Sequence, residues 1–186
     1  MIYKHYIPGN YYHVWAIGNQ NKKIFLDDND YSHFTQKMIE YSQKHKIDIL
    51  AYVLLPDRFH FLLFQRSTIP LNKFMQSLLV SHVRFFSKKY NSSGHIFQAR
   101  FKAEIIEGKE NLLQLSRYIH QSPLKLVNNF SDAYLNSYSW SSYSEYAGKR
   151  NNPYIDTDLI LSYFAKTNKK LSYQAFIQTP QSFVDI

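Results

Sequence analysis

Eight lysines and arginines fall between positions 58 and 103, at Arg58, Arg66, Lys73, Arg84, Lys88, Lys89, Arg100 and Lys102, and no Asp or Glu stands among them. The rest of the chain holds fourteen basic against fourteen acidic residues, so the whole formal charge of +8 resides in that quarter. Charge confined in this way is what a polyanion demands, whereas charge serving only solubility would be spread evenly. Nine Phe and Tyr rings interleave with these cations, and such rings can stack unpaired bases while the cations meet phosphates. A solvated basic face is the other reading, and many of the rings belong to a core in either case. His60 could hold metal, although a histidine in an apolar strand is commonly structural; His13 is expected to pack or hydrogen-bond, and His120, two residues past Tyr118, to point to another face of its helix. Arg58 and His60, two apart on a strand, project from one face. Cysteine is absent, which excludes disulfides and thiolate metal sites and leaves the redox compartment open.

Such side chains need a frame. A chain of 186 residues, 45% hydrophobic, suits one domain of ordinary size with a short appended segment. No run reaches the roughly 18 apolar residues that span a bilayer, and Met1-Ile2-Tyr3-Lys4-His5 lacks the apolar stretch of a secretion signal. A soluble, cytoplasmic protein with no membrane partner is expected. Residues 11–17 are β-branched and aromatic and predict a strand. Phe34, Met38 and Tyr41 recur at helical spacing within 29–46, where Asp27, Asp28 and Asp30 sit at the positive end of the dipole. Runs 47–55 and 59–64 predict two strands joined by a turn at Pro56-Asp57.

The stretch 71–90 predicts an amphipathic helix, with Phe74, Leu78, Val83 and Phe86 inward and Lys73, Arg84, Lys88 and Lys89 outward. A further strand is expected within 96–106, then a helix over 112–121 that stops before Pro123. The order β-α-β-β-α-β-α predicts an α+β fold: a ferredoxin-like split β-α-β core, its antiparallel sheet covered by helices on one face, with an additional helix behind it. Residues 1–127 form this domain. Residues 128–186, rich in Ser, Asn and Tyr, with a short helix at 156–164, read as a C-terminal extension packed on it, because their apolar residues are too few for a separate core.

Four motifs then stand in sequence: Tyr12-His13-Val14-Trp15-Ala16-Ile17-Gly18-Asn19, Tyr52-Val53-Leu54-Leu55-Pro56-Asp57-Arg58-Phe59-His60, Gly94-His95-Ile96-Phe97-Gln98-Ala99-Arg100-Phe101-Lys102 and Tyr118-Ile119-His120-Gln121-Ser122-Pro123. Together they resemble the REP-associated tyrosine transposases, the single-tyrosine HUH kind, over about residues 9–127. Trp140-Ser141-Ser142-Tyr143 is similar to that family's downstream segment. The resemblance implies metal-assisted transesterification of single-stranded DNA beside a hairpin. In it, two histidines flanking one hydrophobic residue hold a divalent cation, Mg²⁺ or Mn²⁺, and a tyrosine attacks the phosphate and keeps its 5′ side covalently. By position Tyr118 matches the nucleophile and His60 the second histidine.

Arg58 stands where the family pattern has its first histidine. A guanidinium offers a metal no lone pair; it can instead donate two hydrogen bonds to a phosphate, so that the site needs no cation. Ser122, one helical turn beyond Tyr118, replaces an amide or imidazole, for which Gln121 is the candidate substitute as a ligand beside His60. Ile17 replaces a commonly basic residue.

Three functions follow for testing. The first is an active strand transferase using Tyr118, His60 and Arg58, with Arg66, Lys73, Arg84, Lys88, Lys89, Arg100 and Lys102 on DNA. The second is a catalytically impaired module that binds single-stranded or hairpin DNA or RNA. The third is a basic scaffold for RNA or an acidic protein. The chain is expected to act as a monomer or a homodimer.

Overall fold

The computed structural model describes residues 6–127 and 131–179. The N-terminal pentapeptide and both ends of the expected extension, 128–130 and 180–186, lie outside them. Four strands, β1 (Tyr11–Ile17), β2 (Ile47–Leu55), β3 (Arg58–Gln65) and β4 (Lys102–Ile106), form one antiparallel sheet in the order β2-β3-β1-β4. With α1 (Asp28–His45) between β1 and β2 and α2 (Leu71–Tyr90) between β3 and β4, this is the expected split β-α-β arrangement.

Strand alternation sorts the side chains. Tyr12, Val14 and Ala16 of β1 and Phe59, Phe61 and Leu63 of β3 bury against Phe34 and Met38 of α1 and Leu71, Phe74 and Leu78 of α2. The two core helices therefore share one face. On α2 the inward position falls to His82 rather than Val83: His82 is buried and its Nε2 donates to the Ile24 carbonyl at 2.8 Å.

The opposite face receives the additional helix, α3 (Lys109–Gln121), through Leu112, Leu115 and Ile119 packed on Val53, Leu55 and Leu62. A register shift between Ile49 and Ala51 turns both Leu50 and Ala51 toward this second cluster.

Local chemistry sets the ends. Asp27 caps α1, its Oδ1 accepting from the amides of Asn29 and Asp30, while Asp30 reaches back to the Asp27 amide. Lys89, at the end of α2, bonds Asp27 at 2.6 Å and Asp30 at 2.8 Å and ties the two helices together. The strand expected within 96–106 is shorter than expected. Only Lys102–Ile106 pairs along β1, and Phe97 makes a single bridge to Gly18. Gly18 has no room for a side chain, since a Cβ there would lie 2.0 Å from the Lys22 carbonyl oxygen. Its amide instead donates to Asp57 O at 2.7 Å, which anchors the end of β1 to the Pro56-Asp57 turn.

The segment after α3 runs through short helices α4 (Asp132–Ser137), α5 (Tyr143–Tyr146) and α6 (Asp158–Leu161) to α7 (Lys169–Gln178). It covers the outer edge of β2: Leu54 N donates to Trp140 O, Ser142 N to Tyr52 O, and Asp156 N to Ile49 O. A strand edge that would otherwise invite another chain is thereby satisfied. The α6 helix is shorter than the expected 156–164 and α7 lies beyond any expected element.

His82 and His120 are buried as neutral rings, and burial pushes them down to about 4 and about 3. Folded-state values below the ordinary 6.5 mean that the unfolded chain binds more protons. Their stabilisation is thus whole above about pH 6.5 and is lost as pH falls toward the folded values, by up to about 1.4 kcal/mol per pH unit for each ring. The urea midpoint should accordingly drop between pH 7 and pH 5; equal midpoints would contradict the neutral burial of both rings.

Candidate nucleic-acid site on the second sheet face

The odd residues of β1 and the even residues of β3 turn toward the face that α3 covers. Trp15 pairs with His60 and Ile17 with Arg58 in register, so the cation and the imidazole stand in one row as their spacing predicts. His13 Nε2 lies 3.0 Å from His60 Nδ1, and its ring stacks on Trp15 with centroids 4.4 Å apart. Tyr118, half-buried on α3, sets its ring edge-on against His60 at 5.2 Å and against His13 at 6.3 Å. Sixty residues of chain separate Tyr118 from Arg58, yet the helix returns the phenol to the row that Arg58 and His60 begin.

His60 is 3% exposed and its Nε2 is buried with no hydrogen-bond partner. Burial, then the neighbouring His13, Arg58 and Lys125, hold it well below the ordinary histidine value, so it is neutral at physiological pH. The proton in the His13–His60 bond has two placements. When His60 donates from Nδ1, its Nε2 presents a lone pair to the site; when His13 donates, His60 Nε2 carries hydrogen.

Lys125, in the 3-10 turn Ser122–Leu126 that continues α3, places its ammonium 5.1 Å from the Tyr118 ring centre. Sequence reading passed over this lysine, although a spacing of seven residues, two helical turns, carries it back to the side of Tyr118. Across β1, Lys102 Nζ lies 5.8 Å from the Trp15 ring, and Arg100 and Lys102 line a small cleft with Trp15.

Other expected residues go elsewhere. Gln121 is no candidate ligand here: it is buried and its Nε2 donates to Ile177 O of α7 at 2.5 Å. The Ser122 hydroxyl donates back to Tyr118 O at 2.6 Å. His120 points to another face of α3, as its spacing from Tyr118 predicts, and is bonded to Tyr173 OH at 2.6 Å and Ser142 Oγ at 2.7 Å.

The seven cations assigned to DNA divide. Lys89 is spent on Asp27 and Asp30, and Arg66 forms an ion pair with Asp48. Lys73 and Arg84 line a groove with Tyr41, Lys44 and His45 between α1 and α2, on the first face, and Lys88 is exposed at the end of α2. Only Arg100 and Lys102 share the Tyr118 side. A contiguous basic sequence on a helix and a strand that pack face to back need not give one contiguous surface, and here it does not.

A divalent cation finds a poor donor set. Among the described residues no three His, Cys, Asp or Glu side chains converge to hold a metal ion. Glu104, opposite His13 on β4, is exposed, and burial alone accounts for the depressed value of His13. Asp57 is engaged by the Arg58 guanidinium at 2.7 Å. One imidazole nitrogen among cations does not match the several oxygen ligands that Mg²⁺ or Mn²⁺ prefers.

The solved structure of a REP-associated tyrosine transposase bound to a REP hairpin superposes with a TM-score of 0.66 at 13% identity, over 84% of this chain and 96% of that one. The chain belongs to the IS200-like transposase family, whose model matches residues 7–122. That family comprises DNA-cleaving enzymes that are in general metal-dependent. Lower similarity links the chain to a candidate transposase of Deinococcus radiodurans R1 (TM-score 0.46, 13% identity, 65% of this chain and 96% of that one). It also links it to the tRNA(His) guanylyltransferase of Saccharomyces cerevisiae (TM-score 0.42, 15% identity, 74% and 80%). No curated protein matches the sequence. No helix among the described residues is long and apolar enough to cross a membrane.

Proposed function

We propose that this chain cleaves single-stranded DNA beside a hairpin and rejoins it through a 5′-phosphotyrosine at Tyr118. The observation that carries the reading is the meeting of Tyr118 with His60, whose Nε2 is buried and unpartnered. An orphaned polar atom is costly unless something completes it in the working state; substrate is the natural completion. In the placement where His60 donates from Nδ1 to His13, Nε2 can take the phenol proton as the oxygen attacks phosphorus. Hairpin DNA as the partner rests on family membership and on the REP hairpin held by the structural neighbour. Tyr118 and His60 of one chain already meet, so the reaction is compatible with a monomer or a homodimer.

Incubating the protein with a hairpin carrying single-stranded flanks, labelled on the 3′ side of the cleavage position, tests this on a denaturing gel. A protein-linked labelled band is expected. Its absence across flanking sequences and buffers would leave the second reading, a hairpin-binding module without cleavage, which Arg58 and the turned-away Gln121 favour.

Binding itself should be steeply salt-dependent. Replacing both Arg100 and Lys102 by Ala should lower the slope of log K against log salt by about two, near one for each phosphate no longer neutralised. Lys89→Ala, by contrast, should leave the slope alone because its ammonium neutralises Asp27 and Asp30. An unchanged slope in the double variant would remove Arg100 and Lys102 from the interface.

A further inference from the structure

We infer that the phosphate site on this face works without a divalent cation, Arg58 and Lys125 supplying the positive charge that the reacting phosphate needs. The inference rests on the proposed tyrosine chemistry and adds to it a cofactor requirement and a residue, Lys125.

The donors and the field both support it. Of the donors that the sequence offers, His60 has one nitrogen bonded to His13, the Gln121 amide is turned to Ile177, and the Ser122 hydroxyl donates to the Tyr118 carbonyl. What remains is a single neutral imidazole nitrogen in the company of a guanidinium and an ammonium. Arg58 shares a strand face with His60, and Lys125 Nζ lies 5.1 Å from the Tyr118 ring centre; cations placed on this face repel a dication and attract a phosphodiester.

The geometry suits the task. Asp57 accepts from Nε and Nη2 of Arg58 at 3.2 and 2.7 Å and so orients the guanidinium on the strand face it shares with His60. Lys125 Nζ stands 5.1 Å from the Tyr118 ring centre. Because Asp57 offsets part of the Arg58 charge, Lys125 carries the larger share of stabilising the charge that develops on the non-bridging oxygens of a phosphate at the phenol, and Arg58 adds hydrogen bonds.

The step balances with no co-reactant. The Tyr118 oxygen forms a bond to phosphorus, the phosphorus–O3′ bond breaks, the phenol proton passes to His60 Nε2, and the released 3′ oxygen takes a proton from water, whose hydroxide is neutralised by the proton that His60 gives up. Rejoining runs the same changes backward.

The test compares covalent adduct formation in EDTA with that in Mn²⁺, and Mn²⁺ binding by calorimetry. The natural protein should form adduct at similar rates in both buffers and bind no Mn²⁺ at micromolar concentrations. Arg58→Ala and Lys125→Ala should each slow the reaction in EDTA by about 10²-fold, with Lys125→Arg restoring most of it. Arg58→His should be equally slow in EDTA, gain measurable Mn²⁺ binding and be rescued by the metal. Adduct formed only with metal, or tight Mn²⁺ binding by the natural protein, would overturn the inference and leave tyrosine chemistry standing. Adduct in neither buffer would overturn both.

Discussion

Tyr118→Phe should abolish the covalent adduct and reduce strand cleavage by at least about 10³-fold, because no other group takes over from a deleted nucleophile. The substitution is clean. The ring packs edge-on against His60 and His13 and lies under Lys125, and Phe keeps all three neighbours. Hairpin affinity should stay within about twofold, since binding draws on phosphate contacts rather than on the phenol. Parallel measurement of affinity and of cleavage under single turnover separates the two effects. Equal loss of binding and cleavage would make Tyr118 a docking residue. Unchanged cleavage would exclude it from the chemistry.

The second large effect concerns stability and lies outside the family-matched segment. Tyr173 on α7 is fully buried, its ring against His120, Tyr146, Phe164 and Phe176. Its hydroxyl meets His120 Nδ1 at 2.6 Å and donates to Ser116 Oγ at 3.2 Å, two residues of α3. Tyr173→Ala removes both the ring and the hydroxyl and should cost about 3–5 kcal/mol. Tyr173→Phe, which leaves His120 short of a partner, should cost about 1–3 kcal/mol.

Arg117 stacks on Phe176 at 3.6 Å and Gln121 binds Ile177 O, so two successive turns of the tyrosine helix lean on α7. We therefore expect residues 128–186 to unfold together with 1–127 in one transition. Two separated transitions in Tyr173→Ala, the first with little loss of sheet signal, would show that the extension melts alone.

Much of the frame was readable because short-range chemistry and long-range packing agree there. The β-branched and aromatic runs at β1 and β2 and the 3.6-residue period of α2 left little choice, and those elements lie where expected. Around residue 96 they disagree: Ile96, Phe97 and Phe101 have strand-like composition, but they only pack as partly buried residues against the first core, and the ladder starts at Lys102.

The site divides in the same manner. Strand parity brought Arg58 and His60 together, and the motif pointed to Tyr118. Parity also put His13 and Trp15 on one face, but the hydrogen bond that joins His13 to His60 depends on how β1 and β3 align, which one strand alone does not encode. Gln121 was misread because its partner is a backbone carbonyl in α7, 56 residues away and outside every motif. Lys89 was misread because its acids, Asp27 and Asp30, belong to the other helix.

The most direct test of the account is the position of the covalent bond. Trypsin acting on the DNA-linked protein should release the segment from Tyr118 to Lys125, and after nuclease treatment its mass should be raised by one nucleotide with fragmentation placing the phosphate on Tyr118. A nucleotide attached to any other of the sixteen tyrosines, or cleavage that leaves no protein-bound phosphate, would contradict it.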